Sequence, residues 1–244
     1  MPISFLNRTR TGGLSLVNRN NSGRLTLNGP ASYVTDGLLF NLDMQNWVSG
    51  TTWPDNSGNG NNFTFSGTPT VTNSGTSTAY FAAGGTYATA ASAIFPANTS
   101  YSKGIVVRGN GSSFGTGNLI SSTGNEAWYM NGSNQHWGGN NNGDGVQSAR
   151  QTVGTIAYNL WYYLSMTFTS GVGWQFYVNG TAVTTTGPTN GKVVSTPQIA
   201  AFANGNALLG RVAVAHVYTR ALTAAEHLQN SNYYNTRYNG STPA

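Results

Sequence analysis

The sequence predicts an all-β fold closed by one short helix. Residues 212–219 alternate two sets of small or apolar side chains, which is the pattern of a β-strand covered on both faces. Thr223 and Glu226 then have the spacing of a capping box, which predicts a helix over residues 224–230. No other segment has a convincing helical pattern, so an α/β plan with alternating strands and helices does not fit.

Length and composition favour one large sandwich domain. The chain has 244 residues, of which 38% are hydrophobic and 12% aromatic, so it can bury a substantial core. Only 7% are charged, against about 25% in ordinary soluble proteins. Asn, Thr, Ser and Gly must therefore cover the surface. Such a surface suits a protein that is fixed in an assembly or exposed to the environment better than it suits a cytosolic enzyme.

Several kinds of segment and site are missing from the sequence. It contains no cysteine, so disulfides and thiolate metal sites are excluded. The first residues have no apolar run as long as a signal peptide needs, and no stretch of about 18 apolar residues could span a membrane. We therefore expect a protein that is made in the cytoplasm and has no membrane partner.

Residues 1–30 form a separate arm with an internal repeat. The segment that begins at Leu6 aligns with the one that begins at Val17, eleven residues later, and each copy pairs a short alternating strand with a polar turn containing Gly. The repeat predicts a three-stranded β-meander, which is too small to be stable alone. Its apolar face needs a partner, and we expect that face to comprise Phe5, Leu14, Leu16, Leu25 and Leu27.

Most of the net charge of +5 lies in this arm. Arg8, Arg10, Arg19 and Arg24 occur there without any acidic residue. We interpret the arm as a docking element that anchors the protein to an acidic surface; the alternative is that the arginines only solubilise a small sheet. We expect no nucleic-acid partner, because no recognition helix accompanies the arm and its basic residues are predicted to lie in turns.

Residues 31–244 contain short strands at the spacing typical of a sandwich. The first core strand is expected at the sequence GLLFNLD after Asp36, followed by an Asn/Gly-rich loop and a strand at Phe63 and Phe65. Asn179-Gly180 between two alternating runs predicts a tight hairpin. The other strands are expected over 79–82, 87–90, 104–108, 118–121, 126–130, 159–169, 174–178 and 181–183.

Three motifs resemble the concanavalin A-like lectin/glucanase superfamily in its laminin-G-like branch. They are DNSGNGNN from Asp55, YVNG from Tyr177, and GRVAVAHVYTRALTAAE from Gly210, in the order found in that family. The resemblance covers residues 36–238 and implies an antiparallel jelly-roll β-sandwich. Three positions depart from the family's pattern without disturbing a sandwich: Pro54, Thr219 and His227.

The Asn/Gly/Thr-rich, cysteine-free composition resembles copies of this fold in structural proteins of tailed phages, where they decorate capsids or form fibres. This resemblance implies a virion protein that is made in the host cytoplasm. Its arm would attach to the major capsid protein or to another virion protein, and its sandwich would be displayed. The alternatives are a carbohydrate-binding module and a receptor-binding tail-fibre domain, and the low-charge surface fits oligomers as well as monomers.

We do not expect an enzyme. Glycosidases of the wider superfamily carry clustered carboxylates, because acid–base hydrolysis needs two carboxyl groups roughly 5 to 10 Å apart. The histidines are isolated and there is no GxSxG nucleophile elbow, so a catalytic triad is not expected either, and we interpret His216 as a packed residue. The acidic residues are scattered singly: Asp36, Asp43, Asp55, Glu126, Asp144 and Glu226.

Calcium and sugar are the two ligands to consider. Asp55 with its neighbouring amides, or Asp144 with Asn141, offers hard oxygen ligands, but each group has only one carboxylate. We therefore expect no cofactor, with a weak calcium site as the alternative.

The sugar site is predicted in an exposed loop over residues 132–144, where an aromatic ring is flanked by amides. The alternative is a surface loop without any ligand. The residues of this candidate site are Asn134, His136, Trp137, Asn140 and Asn141.

Overall fold

A computed structural model shows how these segments are arranged. It describes residues 16–19, 25–27, 32–68, 70–72, 78–81, 86–95, 99–110, 114–115, 117–123, 126–130, 136–140, 147–150, 156–183 and 195–237. Within these residues the strands are, in chain order, β1 (Leu16–Arg19), β2 (Leu25–Leu27), β3 (Leu38–Asp43), β4 (Thr52–Trp53), β5 (Phe63–Ser66), β6 (Thr70–Thr72), β7 (Thr78–Phe81), β8 (Tyr87–Ala90), β9 (Tyr101–Gly109), β10 (Ile120–Ser122), β11 (Glu126–Met130), β12 (His136–Asn140), β13 (Gln147–Arg150), β14 (Trp161–Thr169), β15 (Gly173–Val178), β16 (Thr181–Val183), β17 (Pro197–Ile199) and β18 (Gly210–Tyr218). Helix α1 (Ala224–Arg237) follows the last strand, and a short 3-10 turn (Met44–Asn46) follows β3.

Two antiparallel sheets form the sandwich. In the large sheet the strands lie in the order β16, β15, β14, β9, β18, β7 and β6, and β3 lies beside the C-terminal part of β18. The second sheet has the order β10, β17, β8, β5 and β4. The predicted antiparallel β-sandwich with one C-terminal helix is therefore confirmed.

Two smaller sheets accompany the sandwich. Strands β11, β12 and β13 form a three-stranded meander, and β1 pairs with β2. Leu16, Leu25 and Leu27 of the predicted arm lie on this two-stranded sheet, and Arg19, expected in a turn, ends β1. The other arm residues named above, Phe5, Leu14, Arg8, Arg10 and Arg24, lie outside the described residues.

The main core lies between the two sheets. Alternate residues of each strand point into it, because successive side chains of a strand lie on opposite faces. Phe40 and Phe63 meet there with ring centres 4.8 Å apart, and Trp53 stacks on Phe65 at 5.6 Å. The contact between Phe40 and Phe63 joins the first core strand β3 to the opposite sheet, where the sequence predicted a strand at Phe63, and the contact between Trp53 and Phe65 lies within that sheet.

A second apolar layer covers the outer face of the large sheet. Val106 of β9, Tyr163 of β14 and Val214 of β18 are fully buried there and pack with Tyr234 of helix α1. The central strands are consequently buried on both faces, as the pattern of residues 212–219 predicted.

Strand β18 contains a bulge that the alternation did not predict. Its register with β9 shifts between Val212 and Val214, because an extra residue is inserted there. Val212, Ala215 and Val217 therefore face the main core, whereas Ala213 and Val214 both pack in the outer layer. The strict two-residue alternation that we expected over this strand holds only on the C-terminal side of the bulge.

Helix α1 begins where the capping box predicted and ends later than expected. The Thr223 N–H donates to Glu226 Oε2 at 2.8 Å, and the Glu226 N–H donates to Thr223 Oγ1 at 3.3 Å. The helix continues to Arg237 rather than ending near residue 230. Its last turns are weak helix formers by sequence, but Tyr234 is fully buried on the sheet, and tertiary packing outweighs local propensity.

The local strand predictions agree best where turn chemistry is explicit. The hairpin between β15 and β16 has φ of 49° at Asn179 and 78° at Gly180, which only turn-forming residues adopt readily. Five of the described strands were not predicted, namely β4, β6, β12, β13 and β17. Strand β12 occupies the middle of the expected loop over residues 132–144, and Pro197 begins β17, a position where a strand tolerates proline.

Candidate functional site

The Asn/Gly-rich loop over residues 55–62 fastens β3 to the second sheet. Asp55 Oδ1 accepts hydrogen bonds from the N–H groups of Asn41 and Ser57, at 2.8 and 2.9 Å. Asp55 Oδ2 accepts from Ser57 Oγ at 2.7 Å and from the Asn61 N–H at 2.9 Å. The Asn59 side chain donates to the Leu38 carbonyl at 2.8 Å. The motif therefore has a structural task, which is to hold the loop against the first core strand.

This geometry bears on the weak calcium candidate. Both oxygens of Asp55 already accept hydrogen bonds from donors of the protein. The carboxylate is therefore oriented by these donors rather than arranged as a ligand of a cation. Within the described residues no group of three or more His, Cys, Asp or Glu side chains could hold a metal ion. Asp144, the other candidate ligand, and Asn141 lie outside the described residues.

A small pocket opens beside the same loop. It has a volume of about 220 Å³ and is lined by Asn61, Asn62 and Ser92, among others. Pockets for small-molecule ligands commonly have volumes of roughly 300 to 1,000 Å³. We therefore assign no ligand to this pocket.

The three-stranded sheet places an aromatic row on one of its faces. Trp128 and Met130 of β11 are fully buried in the main core, whereas Tyr129 between them is only partly buried. Position 137 of β12 lies directly opposite Tyr129, and position 150 of β13 lies directly opposite position 137. Directly paired positions of an antiparallel sheet share a face. The register therefore places Tyr129, Trp137 and Arg150 in one row on the face away from the core.

The same register separates the residues that the sequence grouped as a sugar site. His136 pairs with Met130, and Asn140 pairs with Glu126. Both positions are an odd number of residues away from Trp137, so they lie on the opposite face of the sheet. Asn134 and Asn141 lie outside the described residues. The row also contains Tyr129 and Arg150, which the sequence analysis did not single out. Only the pairing of β11, β12 and β13 brings them to Trp137.

Glycines follow the aromatic row on β12. Gly139 occupies the next row of the same face, between Ala127 and Ser148, and Gly138 pairs with Trp128. Glycine and alanine have little or no side chain, so the backbone next to the row carries no large group. An aromatic row beside small and hydroxyl residues has the composition of a surface that binds a polar ligand with apolar faces.

The outer face of the large sheet contains a buried polar network beneath helix α1. His216 Nε2 lies 3.0 Å from Tyr163 Oη, and His227 Nε2 lies 2.8 Å from Thr167 Oγ1. The pKa of each histidine is lowered to about 3, chiefly by burial, and for His216 the neighbouring His227 contributes to this lowering. Both histidines are consequently neutral at physiological pH, and His216 is packed as the sequence predicted.

Asn230 of helix α1 connects the network to the start of the sandwich. Its Oδ1 accepts from the Val34 N–H at 2.8 Å, and its Nδ2 donates to Tyr218 Oη at 3.1 Å. Tyr218 Oη in turn donates to the Val34 carbonyl at 2.8 Å. This closed set of hydrogen bonds is structural, since all of its members are buried away from solvent.

Lys103 of β9 is a charged residue buried between the two sheets. Its side chain is fully buried, its Nζ donates to the Ile120 carbonyl at 2.8 Å, and the ammonium group lies 4.7 Å from the centre of the Phe95 ring. A carbonyl acceptor and an aromatic face both stabilise a buried cation. We interpret Lys103 as a link between the two sheets.

Within the described residues no helix is long and apolar enough to cross a membrane.

Solved structures with a similar fold come from several kinds of binding domain and enzyme. The binding domain of botulinum neurotoxin DC, solved with rat synaptotagmin II, has a TM-score of 0.66 and 14% identity over 82% of this chain. The Trypanosoma rangeli sialidase, solved with sialic acid, has a TM-score of 0.64 and 15% identity over 91% of this chain. Domain 4 of AbnA, an extracellular arabinanase from Geobacillus stearothermophilus solved with arabinotriose, has a TM-score of 0.63 and 14% identity over 80% of this chain.

The likeness concerns the fold. The chain spans about half of the neurotoxin domain (52%) and 36% of the sialidase, but 98% of the arabinanase domain is covered. Neither a protein-family model nor a curated protein sequence matches this chain. The β-sandwich fold inferred from the three motifs is thus supported by the three-dimensional comparison.

Proposed function

We propose that the chain is a non-enzymatic binding protein whose sandwich recognises a saccharide on the outward face of β11, β12 and β13. The observation that carries this proposal is the row formed by Tyr129, Trp137 and Arg150. Sugar rings present apolar faces edged with hydroxyls, and an aromatic row that ends in a cationic residue matches both. The arabinanase domain that is similar over its whole length was solved with arabinotriose, which supports this choice of ligand class.

A glycan array with the purified full-length chain tests the proposal, followed by titration calorimetry with the best ligand. Trp137→Ala removes the centre of the row, and we expect it to weaken binding at least tenfold, because an aromatic platform contributes much of such an interaction. His136→Ala is the matched control on the same strand, since position 136 lies on the opposite face of the sheet from Trp137. Equal losses in both variants, or no glycan bound by the wild type, would contradict the proposal.

A second proposal concerns where the protein acts. We propose that it is a virion component, displayed on a phage capsid or tail, and that its arm provides the attachment. The resemblance to structural proteins of tailed phages supports this location, and so does a cluster of four arginines in the first 30 residues. The pairing of β1 with β2 in a sheet of their own supports an arm that is a unit distinct from the sandwich.

Particle incorporation tests the attachment. Replacing Arg8, Arg10, Arg19 and Arg24 with Gln should abolish co-sedimentation with particles, because the docking charge is lost. The sandwich should keep its thermal unfolding transition. Incorporation at the wild-type level would contradict the anchoring role, and it would leave saccharide binding untouched, so the two proposals can fail separately.

A further inference from the structure

Two arginines lie side by side on the outer face of the large sheet. Arg108 of β9 and Arg211 of β18 are directly paired in the register of these strands. The adjacent pair, Val107 and Val212, faces the main core. The arginines therefore share the opposite face, and their Cβ atoms are about 4.5 to 5.5 Å apart, as in any directly paired positions. Both side chains are partly exposed.

The pair has no counter-ion within the part of the chain that the structure describes. Neither arginine side chain forms a hydrogen bond or an ion pair there. The acidic side chains described in the structure are already engaged. Arg220 binds Asp36 and Glu226, Arg237 binds Asp43, and Asp55 accepts hydrogen bonds from Asn41 of β3 and from its own loop. The repulsion between Arg108 and Arg211 is thus not compensated by these groups.

Like charges at directly opposite positions destabilise a sheet, so this arrangement is unfavourable for folding alone. The chain has only 11 basic residues in 244, and chance pairing of two of them in adjacent strands is therefore uncommon. Local conflicts of this kind, with no compensating contact, are typical of functional sites. A negative charge placed between the two guanidinium groups would compensate the repulsion.

The surroundings of the pair would strengthen such an interaction. Trp161 of β14 is the other neighbour of Arg108 in the same row, and only 7% of its surface is exposed. Its buried ring lowers the polarity on that side of the pair. The row continues past Arg211 to position 80 of β7. Charge-assisted hydrogen bonds are stronger where water is partly excluded.

We propose that Arg108 and Arg211 form a binding site for an oxyanion, which is a sulfate, a phosphate or the carboxylate of an acidic sugar. The planar guanidinium group donates two parallel hydrogen bonds to such groups, so two adjacent guanidiniums can clamp one oxyanion. The site is separate from the row on β11, β12 and β13, and it does not depend on the saccharide proposal. Its ligand neutralises the repulsion that the fold leaves in place.

Titration calorimetry with the full-length chain tests the site, with sodium sulfate, inorganic phosphate and glucuronate as probes at constant ionic strength. We expect wild-type protein to bind at least one probe, and R108Q/R211Q to bind it at least about tenfold more weakly, since each charge-assisted bond contributes strongly. The three probes distinguish a tetrahedral anion from a sugar carboxylate. Absence of binding by the wild type to all three would overturn the proposal.

The matched control is K192Q, which removes one positive charge, as the single variants R108Q and R211Q each do. We expect this variant to bind like the wild type, whereas an equal loss in K192Q and in both single variants would overturn the proposal, because net charge would then explain the binding. Circular dichroism establishes that R108Q/R211Q is folded. Should it not fold, the single variants R108Q and R211Q replace it, and unchanged affinity in both would also overturn the proposal.

Discussion

The outer face of the large sheet has a covered end, beneath helix α1 around His216 and Tyr163, and an open end at the partly exposed pair Arg108 and Arg211. At the covered end the charged side chains are paired, as Arg237 with Asp43 shows, and the histidines are neutral and hydrogen-bonded. At the open end Arg108 and Arg211 lie together without an acidic partner among the described residues. One end of the face thus serves stability, and the other, by our proposal, serves binding.

The largest effect is expected from acidification, which acts on the covered end. The pKa of His216 and of His227 is about 3 in the folded protein because of burial, against about 6.5 in an unfolded chain. Below pH 6.5 the unfolded state gains protons that the folded state does not. Stability should therefore fall by up to about 1.4 kcal/mol per histidine for each pH unit between about 6.5 and 3, and stay constant above pH 7.

Urea unfolding at a series of pH values measures this loss. His216 is faced by Tyr163, Tyr218 and Tyr234, and His227 by Tyr177 and the nearby Glu226. The tyrosines do not titrate in this range. His227→Gln should remove about half of the slope between pH 6.5 and 5, since Gln cannot take up the proton. An unchanged slope in this variant would show that the histidines are not the cause.

At the covered end, we expect Gly104→Ala to be the substitution of a single methyl group that lowers the free energy of unfolding most. A Cβ at position 104 would lie 2.0 Å from His216 Nε2 and 2.6 Å from Tyr163 Oη, so the hydrogen-bonded pair must separate. We expect a loss of about 3 kcal/mol in the free energy of unfolding. Gly205→Ala is the control, because its Cβ would meet only the Phe202 carbonyl at 3.9 Å, and its loss should stay below about 1 kcal/mol.

The cap of helix α1 contributes less than its packing. Thr223→Ala removes the Oγ1 acceptor of the Glu226 N–H, and thermal unfolding should show a loss of about 1 kcal/mol. Asn232→Ala, at an exposed position within the helix, is the control and should not lower stability, because Ala is the better helix former. A cap variant as stable as the wild type would indicate that packing alone holds the helix.

The smallest expected change in stability comes from a substitution at the open end. It is the most informative about that end, because we expect it to stabilise the protein, whereas the changes above destabilise it. Arg108→Gln relieves the repulsion with Arg211, so it should raise the free energy of unfolding by about 0.5 kcal/mol at low ionic strength. Arg220→Gln breaks the contacts with Glu226 and Asp36 and should lower it. Thermal unfolding without added anion measures both. Loss of stability in both variants would contradict the proposed difference, which is that Arg108 is repelled by its neighbour whereas Arg220 is stabilised by its acidic partners.

Much of the fold could be predicted from the sequence because it is encoded locally. The capping box at Thr223, the Asn179-Gly180 turn and the alternating strands each depend on residues a few positions apart, and all three are present in the structure. The sequence predicts a loop over residues 132–144 because Gly138 and Gly139 resemble turn residues, whereas residues 136–140 form a strand. Pairing with β11 and β13 on both sides makes this segment a strand in spite of its composition.

The candidate sites were less predictable. Trp137 was recognised from its residue type alone, but Tyr129 and Arg150 become its neighbours only through strand register. Arg108 and Arg211 are far apart in the chain, and no spacing rule connects them. The bulge after Val212 adds a further step, since it changes which residues of β18 face the helix. The alternation of side chains along one strand does not predict such a shift, because the position of the extra residue depends on how β18 pairs with its neighbouring strands.

The sequence by itself determined the all-β class, the cap that begins the helix, the main hairpin and the concentration of charge in the arm, because each depends on near neighbours and composition. Only the tertiary structure decided which side chains meet across strands. It placed Trp137 in a row with Tyr129 and Arg150, buried His216 against Tyr163, and brought Arg108 beside Arg211. The physical reason is that strand pairing joins segments of any separation, whereas sequence patterns report only the geometry of a single strand or helix.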